Sequence, residues 1–196
     1  MAVEQLINAS NVEVAPSGAA SRWQRVPAQV LQRIRQFTHA VRVRQTAGDD
    51  LRYRQLIGDD AWAIAQHLTP YDRQHHLQVY DWLLAHDAQD ADLLQAALLH
   101  DIGKVAPGVR VTVVHRAVHV LARRVGLTNW TSQRAFGLRA GLRVLQTHAA
   151  RGATLAATLG ANSTTVALIA RHHDAIGVAA DPMLRALQDA DHAVGA

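Results

Sequence analysis

The apolar residues of this 196-residue chain recur at three- and four-residue intervals and hardly anywhere alternate, a periodicity that points to helices and away from sheets. Val30, Ile34, Phe37 and Val41 make one stripe after Pro27, a residue favoured in a first helical turn, and that stretch ends at Gly48. A second helix is expected around Ala61–His67, broken by Thr69-Pro70, and a third from an Asp72 cap to His86. Asp90 or Asp92 starts a strongly apolar fourth through Leu93, Leu94, Ala97, Leu98 and Ile102, stopped by Gly103 and Pro107-Gly108. Val109–Val114 would pass as a strand by composition, but Ala117, Val118, Leu121 and Val125 continue a helical spacing, so residues 109–125 read as helix. After a turn at Asn129–Ser132, Phe136–Gln146 and His148–Leu159 read as two helices or one bent one. Ser163 caps the next, through Ala170, and Asp181-Pro182 caps the last, Met183–Val194. The expected class is all-α, a helical bundle.

The length suits one domain, or one domain with an ordered extension, and 49% hydrophobic residues suffice for a core without staples. Residues 1–26 lack periodicity and read as an unordered tail, 27–69 as an N-terminal helical extension, and 70–196 as the main domain. With no cysteine, disulfides, thiolate-bound metals and thiol nucleophiles are excluded. The N-terminal residues lack a basic start and an apolar core of signal length, and no apolar run is long enough to span a bilayer. A cytoplasmic location is the resulting expectation.

Charge is segregated along the chain. Residues 55–101 hold eight Asp and one Arg, whereas residues 102–173 hold nine Arg and Lys104, the sole lysine, with no acid. Solvated helices ordinarily mix signs to gain i,i+4 pairs, so an acid-free stretch either pairs across the fold with the acidic one or attracts an anion.

Twelve histidines are the chemical anomaly. His-Asp dipeptides occur three times, at 86–87, 100–101 and 173–174, so the pair alone carries no information. His115 and His119 share a helix face but have no carboxylate near them in sequence and read as partly buried surface. His100-Asp101 differs because it closes the apolar run LLQAALLHDIGK. A carboxylate drawn into a core there demands a partner, either a salt bridge or a metal ion. Lys104 follows at once, as a helix-terminal cation or as a compact charge aimed at a phosphate.

At these residues the chain resembles the HD-domain metal-dependent phosphohydrolases. LLQAALLHDIGK resembles the family's His-Asp segment, and DRQHHLQVYDWL upstream resembles its first ligand helix. Leu77 and Val79, two and four residues after it, favour His75 as the ligand over His76. MLRALQDADHAV resembles the closing helix, with Asp191 after Ala190 as the ligand and Asp189 as the fallback. THAARGATLAATLGA and TVALIARHHDAIG resemble two further helices, contributing His148 with Gly152, and His172 with His173.

The resemblance implies an HD-domain-like helical bundle over roughly residues 70–194. It implies one or two divalent ions (Fe, Mn, Co, Zn or Mg) held by His75, His100, Asp101 and Asp191, with His148, His172 and His173 completing a second site. It implies hydrolysis of a phosphomonoester or phosphodiester by a metal-activated water, with Asp101 bridging, Lys104 binding substrate phosphate, and His172 or His173, where not a ligand, protonating the leaving oxygen. The expected partner is a phosphorylated, nucleotide-like small molecule. A non-catalytic HD-fold module that binds ligand is one alternative. The other is a binder of nucleic acid or anionic surfaces through the N-terminal arginines, which only Trp23 and Phe37 accompany, too few for base stacking.

Overall fold

In the computed structural model the described residues are 47–112, 114–116, 118–119, 137–175 and 181–195. The expected tail 1–26, the Val30–Val41 stripe and the turn at Asn129–Ser132 lie outside them. Among the described residues all regular structure is helical, in six α-helices and one 3₁₀ turn, as the periodicity predicts; the only strand-like feature is an isolated bridge between Ala106 and Val109. No helix among them is long and apolar enough to cross a membrane.

Helix α1 (Ala47–Ala65) is far longer than the stretch expected around Ala61–His67, and Gly48 lies inside it. Asp49 and Asp50 in the first turn suit its dipole, and Gly58 at φ 81°, ψ 168° kinks it midway. Helix α2 (Pro70–Ala85) starts at the Thr69-Pro70 pair that sequence marks as a break. Thr69, not Asp72, is its N-cap: Thr69 Oγ1 accepts from the Asp72 amide at 3.2 Å. Asp72 is thereby released from capping and lies inside the protein, 1% exposed.

Helix α3 (Ala91–Leu99) is capped by Asp90, whose Oδ1 accepts from the amides of Asp92 (2.9 Å) and Leu93 (3.1 Å). It ends before His100, and Ile102–Lys104 form the 3₁₀ turn. The first part of 109–125 is not helical; Pro107-Gly108 makes a tight turn with Gly108 at φ 68°, and helical residues begin only at 114. Helix α4 (Leu138–Thr158) is one continuous helix across Thr147. Helix α5 (Ser163–Arg171) is capped by Asn162, one residue before the expected Ser163, and α6 (Pro182–Val194) by Asp181.

The core is built around α3, against which α1, α2, α5 and α6 pack. Leu98 and Leu99 are 4% and 3% exposed, and each burial contributes about 1.5–3 kcal/mol. The helix end therefore cannot lift away to hydrate the two ionisable residues that follow. Helix α4 lies against the 3₁₀ turn and α5. That approach is possible because two glycines face each other: a Cβ on Gly103 would collide with the His148 carbonyl and the Gly152 amide. Gly103 is thus required for space and not, as the sequence suggests, for a turn.

Candidate metal centre

Five segments converge at the C-terminal end of α3. His75 comes from α2, His100 and Asp101 from the end of α3, His148 from α4, His172 and His173 from the end of α5, and Asp191 from the last turn of α6. His75, His100, Asp101, His148 and His172 are all buried.

Three imidazoles are fixed by one device. The Nδ1 of His100, His148 and His172 each meets the carbonyl oxygen three residues earlier: Ala97 at 2.9 Å, Leu145 at 2.6 Å and Ile169 at 2.7 Å. A carbonyl only accepts, so Nδ1 carries the proton and, in the neutral ring, Nε2 presents a lone pair. The Nε2 atoms of His100 and His172 are buried and have no hydrogen-bond partner.

These lone pairs face a carboxylate. Asp101 turns Oδ2 toward His100 Nε2 (3.6 Å) and Oδ1 toward His148 Nε2 (3.1 Å) and His172 Nε2 (3.9 Å). His75 Nε2 lies 2.8 Å from Asp191 Oδ1, which is 3.8 Å from His100 Nε2. His173 Nε2 is 2.9 Å from His148 Nε2. The Nε2 atoms of His100 and His172, acceptors without a hydrogen-bond partner beside a buried carboxylate, would be stabilised by a cation, and oriented neutral imidazoles with carboxylates are a donor set that suits one. The ligand atoms fall into two groups, each within 4.8 Å: His75, His100 and Asp101, and His148, His172 and His173. These clusters could hold a metal ion.

Electrostatics keep the carboxylates ionised. Burial works against the Asp101 charge, but Lys104, His100 and His148 outweigh it and hold the carboxyl well below its usual range. Asp191 is likewise held down against burial by its hydrogen bond to His75 and by the neighbouring His100. Burial, then the charges of His100 and His173, push His172 down to about 3, and burial with His148 pushes His173 down to about 4, so both are neutral, ligand-competent rings at ordinary pH.

The residue pairs left open by sequence occupy different places. His76 joins neither ligand group: its Nδ1 lies 2.6 Å from the Tyr53 hydroxyl, which donates to Leu98 O at 2.7 Å, while its ring packs on His100 (centroids 4.9 Å apart) and its Nε2 is also buried without a partner. Asp189 is exposed, whereas Asp191 meets the histidines. His115 Nδ1 accepts from the Thr112 amide at 3.0 Å and joins neither ligand group.

Sequence reasoning missed Asp72. Arg116 Nη2 donates to both its oxygens at 2.6 Å, Thr69 Oγ1 donates at 2.5 Å, and Lys104 Nζ lies 3.4 Å away while also contacting Asp101. Arg116 covers the Tyr71 ring (4.9 Å), and Tyr71 is parallel to the His75 ring. Asp72 is thus the counter-ion that holds two cations at the edge of the cluster. The signal was present: residues 72, 75, 76 and 79 share a helix face, so a carboxylate joins the histidines on the buried side. Lys104 and Asp72 also line an open cavity of about 670 Å³ beneath the Ala106–Val111 strap.

The chain matches no protein-family model, no curated protein and no solved structure.

Proposed function

We infer that this protein is a metal-dependent phosphohydrolase of HD-domain type, acting on a phosphomonoester or phosphodiester of nucleotide-like kind. The observation that carries the reading is the pair of buried, unpartnered Nε2 atoms of His100 and His172, tautomerically fixed and facing opposite oxygens of Asp101. His75, His100, Asp101 and Asp191 would hold one ion, and His148, His172, His173 and the second oxygen of Asp101 another. When bound, such ions supply an activated water and a counter-charge for a phosphoryl group.

The rest follows from the chain's own groups. Lys104, its charge favoured by Asp101 and Asp72 over the opposing effect of burial, stands between the cluster and the 670 Å³ cavity, where it would bind substrate phosphate. Arg116, held by Asp72, would add a second positive charge near Lys104. With both His172 and His173 assigned as ligands, protonation of the leaving oxygen falls to solvent or to a proton on Lys104.

The test is elemental analysis of purified protein coupled to a screen of phosphate esters. His100→Ala and Asp101→Ala should abolish metal retention and esterase activity together. Full activity in both variants would end this reading; metal retained without turnover of any ester would favour the non-catalytic module.

A further inference from the structure

Helix α4 carries three charged residues, Arg139, Arg143 and Arg151, and no acid. Arg143, Thr147 and Arg151 follow at four-residue intervals and so share one face, adjacent to the face that delivers His148. That face borders a second cavity, of about 300 Å³, closed on the other side by the Ala106–Val109 turn. The turn is the wall it shares with the larger cavity at Lys104.

The chemistry of this small cavity is one-sided. Its polar lining is Arg143, Thr147 and Arg151, its remaining walls are Ala, Pro and Val, and among the described residues no carboxylate lines it. Arg151 Nη2 donates to the Val105 carbonyl at 2.6 Å, so the plane of its guanidinium is set by backbone and not by an acid. Thr147 Oγ1 donates to the Arg143 carbonyl at 2.9 Å, closing the helix side of the pocket. Burial, and after it the Arg143 charge, lower Arg151 from the usual guanidinium range. An oxyanion beside Arg151 offsets that cost, and guanidinium groups match the geometry of phosphate oxygens.

We propose that the cavity between the Ala106–Val109 turn and α4 is a metal-independent site for a phosphate-class oxyanion, held by Arg143 and Arg151. The volume accommodates a phosphate with a small attached group. The anion is either a free ligand or a second phosphate of the molecule processed at the metal centre; the recognition chemistry is the same.

The experiment is titration of inorganic phosphate into the full chain, stripped of metal with a chelator, at low salt and followed by calorimetry. One phosphate should bind per chain. Arg143→Gln, which keeps the stem over the pocket, should weaken it about ten-fold, the loss of one charge-assisted pair, while His100→Ala leaves it unchanged. No binding to the stripped chain, or binding weakened by Lys104→Ala and untouched by Arg143→Gln, would overturn the proposal. Unchanged thermal melting of Arg143→Gln guards against misreading a folding defect, and Arg151→Lys, which retains the charge but not the fork, supplies a second variant expected to weaken binding. A rise in KM for a bis-phosphorylated ester but not a mono-phosphorylated one in Arg143→Gln would mark the anion as part of the substrate; equal KM values would mark it as separate. Because the titration needs neither metal nor turnover, it stands or falls apart from the hydrolase reading.

Discussion

The contact between Gly103 and helix α4 gives the most quantitative prediction. A methyl group on Gly103 would sit 2.9 Å from the His148 carbonyl carbon and closer still to its oxygen and to the Gly152 amide, all of them backbone atoms. Comfortable carbon contacts lie near 3.5–4.0 Å, so α4 must move by about 1 Å or more. No side-chain rotation can relieve the clash. Overpacking of this kind costs about 1–3 kcal/mol, and we expect Gly103→Ala at the upper end, a fall in Tm of about 6–12 °C for a chain of this size. The same displacement carries His148 away from Asp101, so the second ion should be lost before the first. Gly152→Ala is the internal control. Its Cβ would meet Ile169 Cγ2 at 3.2 Å and Gly103 N at 3.3 Å, tight but relievable, and alanine regains about 1 kcal/mol of helix propensity. Thermal melting and metal counting on both variants make the check. If Gly103→Ala melts within a degree or two of wild type, or Gly152→Ala is the more damaging, the close approach of the 3₁₀ turn to α4 is wrong.

Three further outcomes are expected. Asp72→Asn should destabilise the fold by about 3 kcal/mol, the low end for breaking a buried ion pair because Asn still accepts from Thr69, and should cut turnover while metal content stays whole; denaturant titration and elemental analysis separate the two effects. The metal-stripped protein should lose stability in acid: burial is the first cause lowering His100, His172 and His173 below 6.5, the last two to about 4 or below, so between those values and 6.5 the unfolded chain binds more protons. Stability should therefore fall as pH drops through that window, read as a lower urea midpoint at about pH 5 than at about pH 7.5, and an unchanged midpoint would contradict the neutral, buried state of these rings. Tyr53→Phe should cost about 1–3 kcal/mol by leaving the Leu98 carbonyl and His76 Nδ1 without their shared hydroxyl, measurable by the same titration.

The helical class was legible because periodicity is a local property, and Leu93–Leu99 or Leu184–Leu187 face the core wherever the chain places them. Cap positions were less so. Asn162 stands beside Ser163, and Asp72 lies three residues after Thr69; in each case a second good capping residue competes, and backbone geometry decides which takes the role. Helix α1 escaped notice because Asp59, Asp60 and Gly58 interrupt its pattern, and it is held by Tyr53 reaching into the core, a long-range contact. At the site, the context of His100-Asp101 and the motif resemblance pointed to the imidazoles and carboxylates that the fold brings together. They could not reveal Arg116 as the partner of Asp72, because an ion pair 44 residues apart leaves no local trace, and the helix-face position of Asp72 was overridden by the expectation that a helix-start aspartate caps.

If the inward-facing Nε2 atoms around Asp101 are there for a cation, divalent metal should be countable per chain in purified protein reloaded after chelation. Wild type should bind one or two ions with a rise in melting temperature on loading, and His100→Ala should lose nearly all of both. Wild-type protein that takes up no ion and melts identically with and without metal would contradict it.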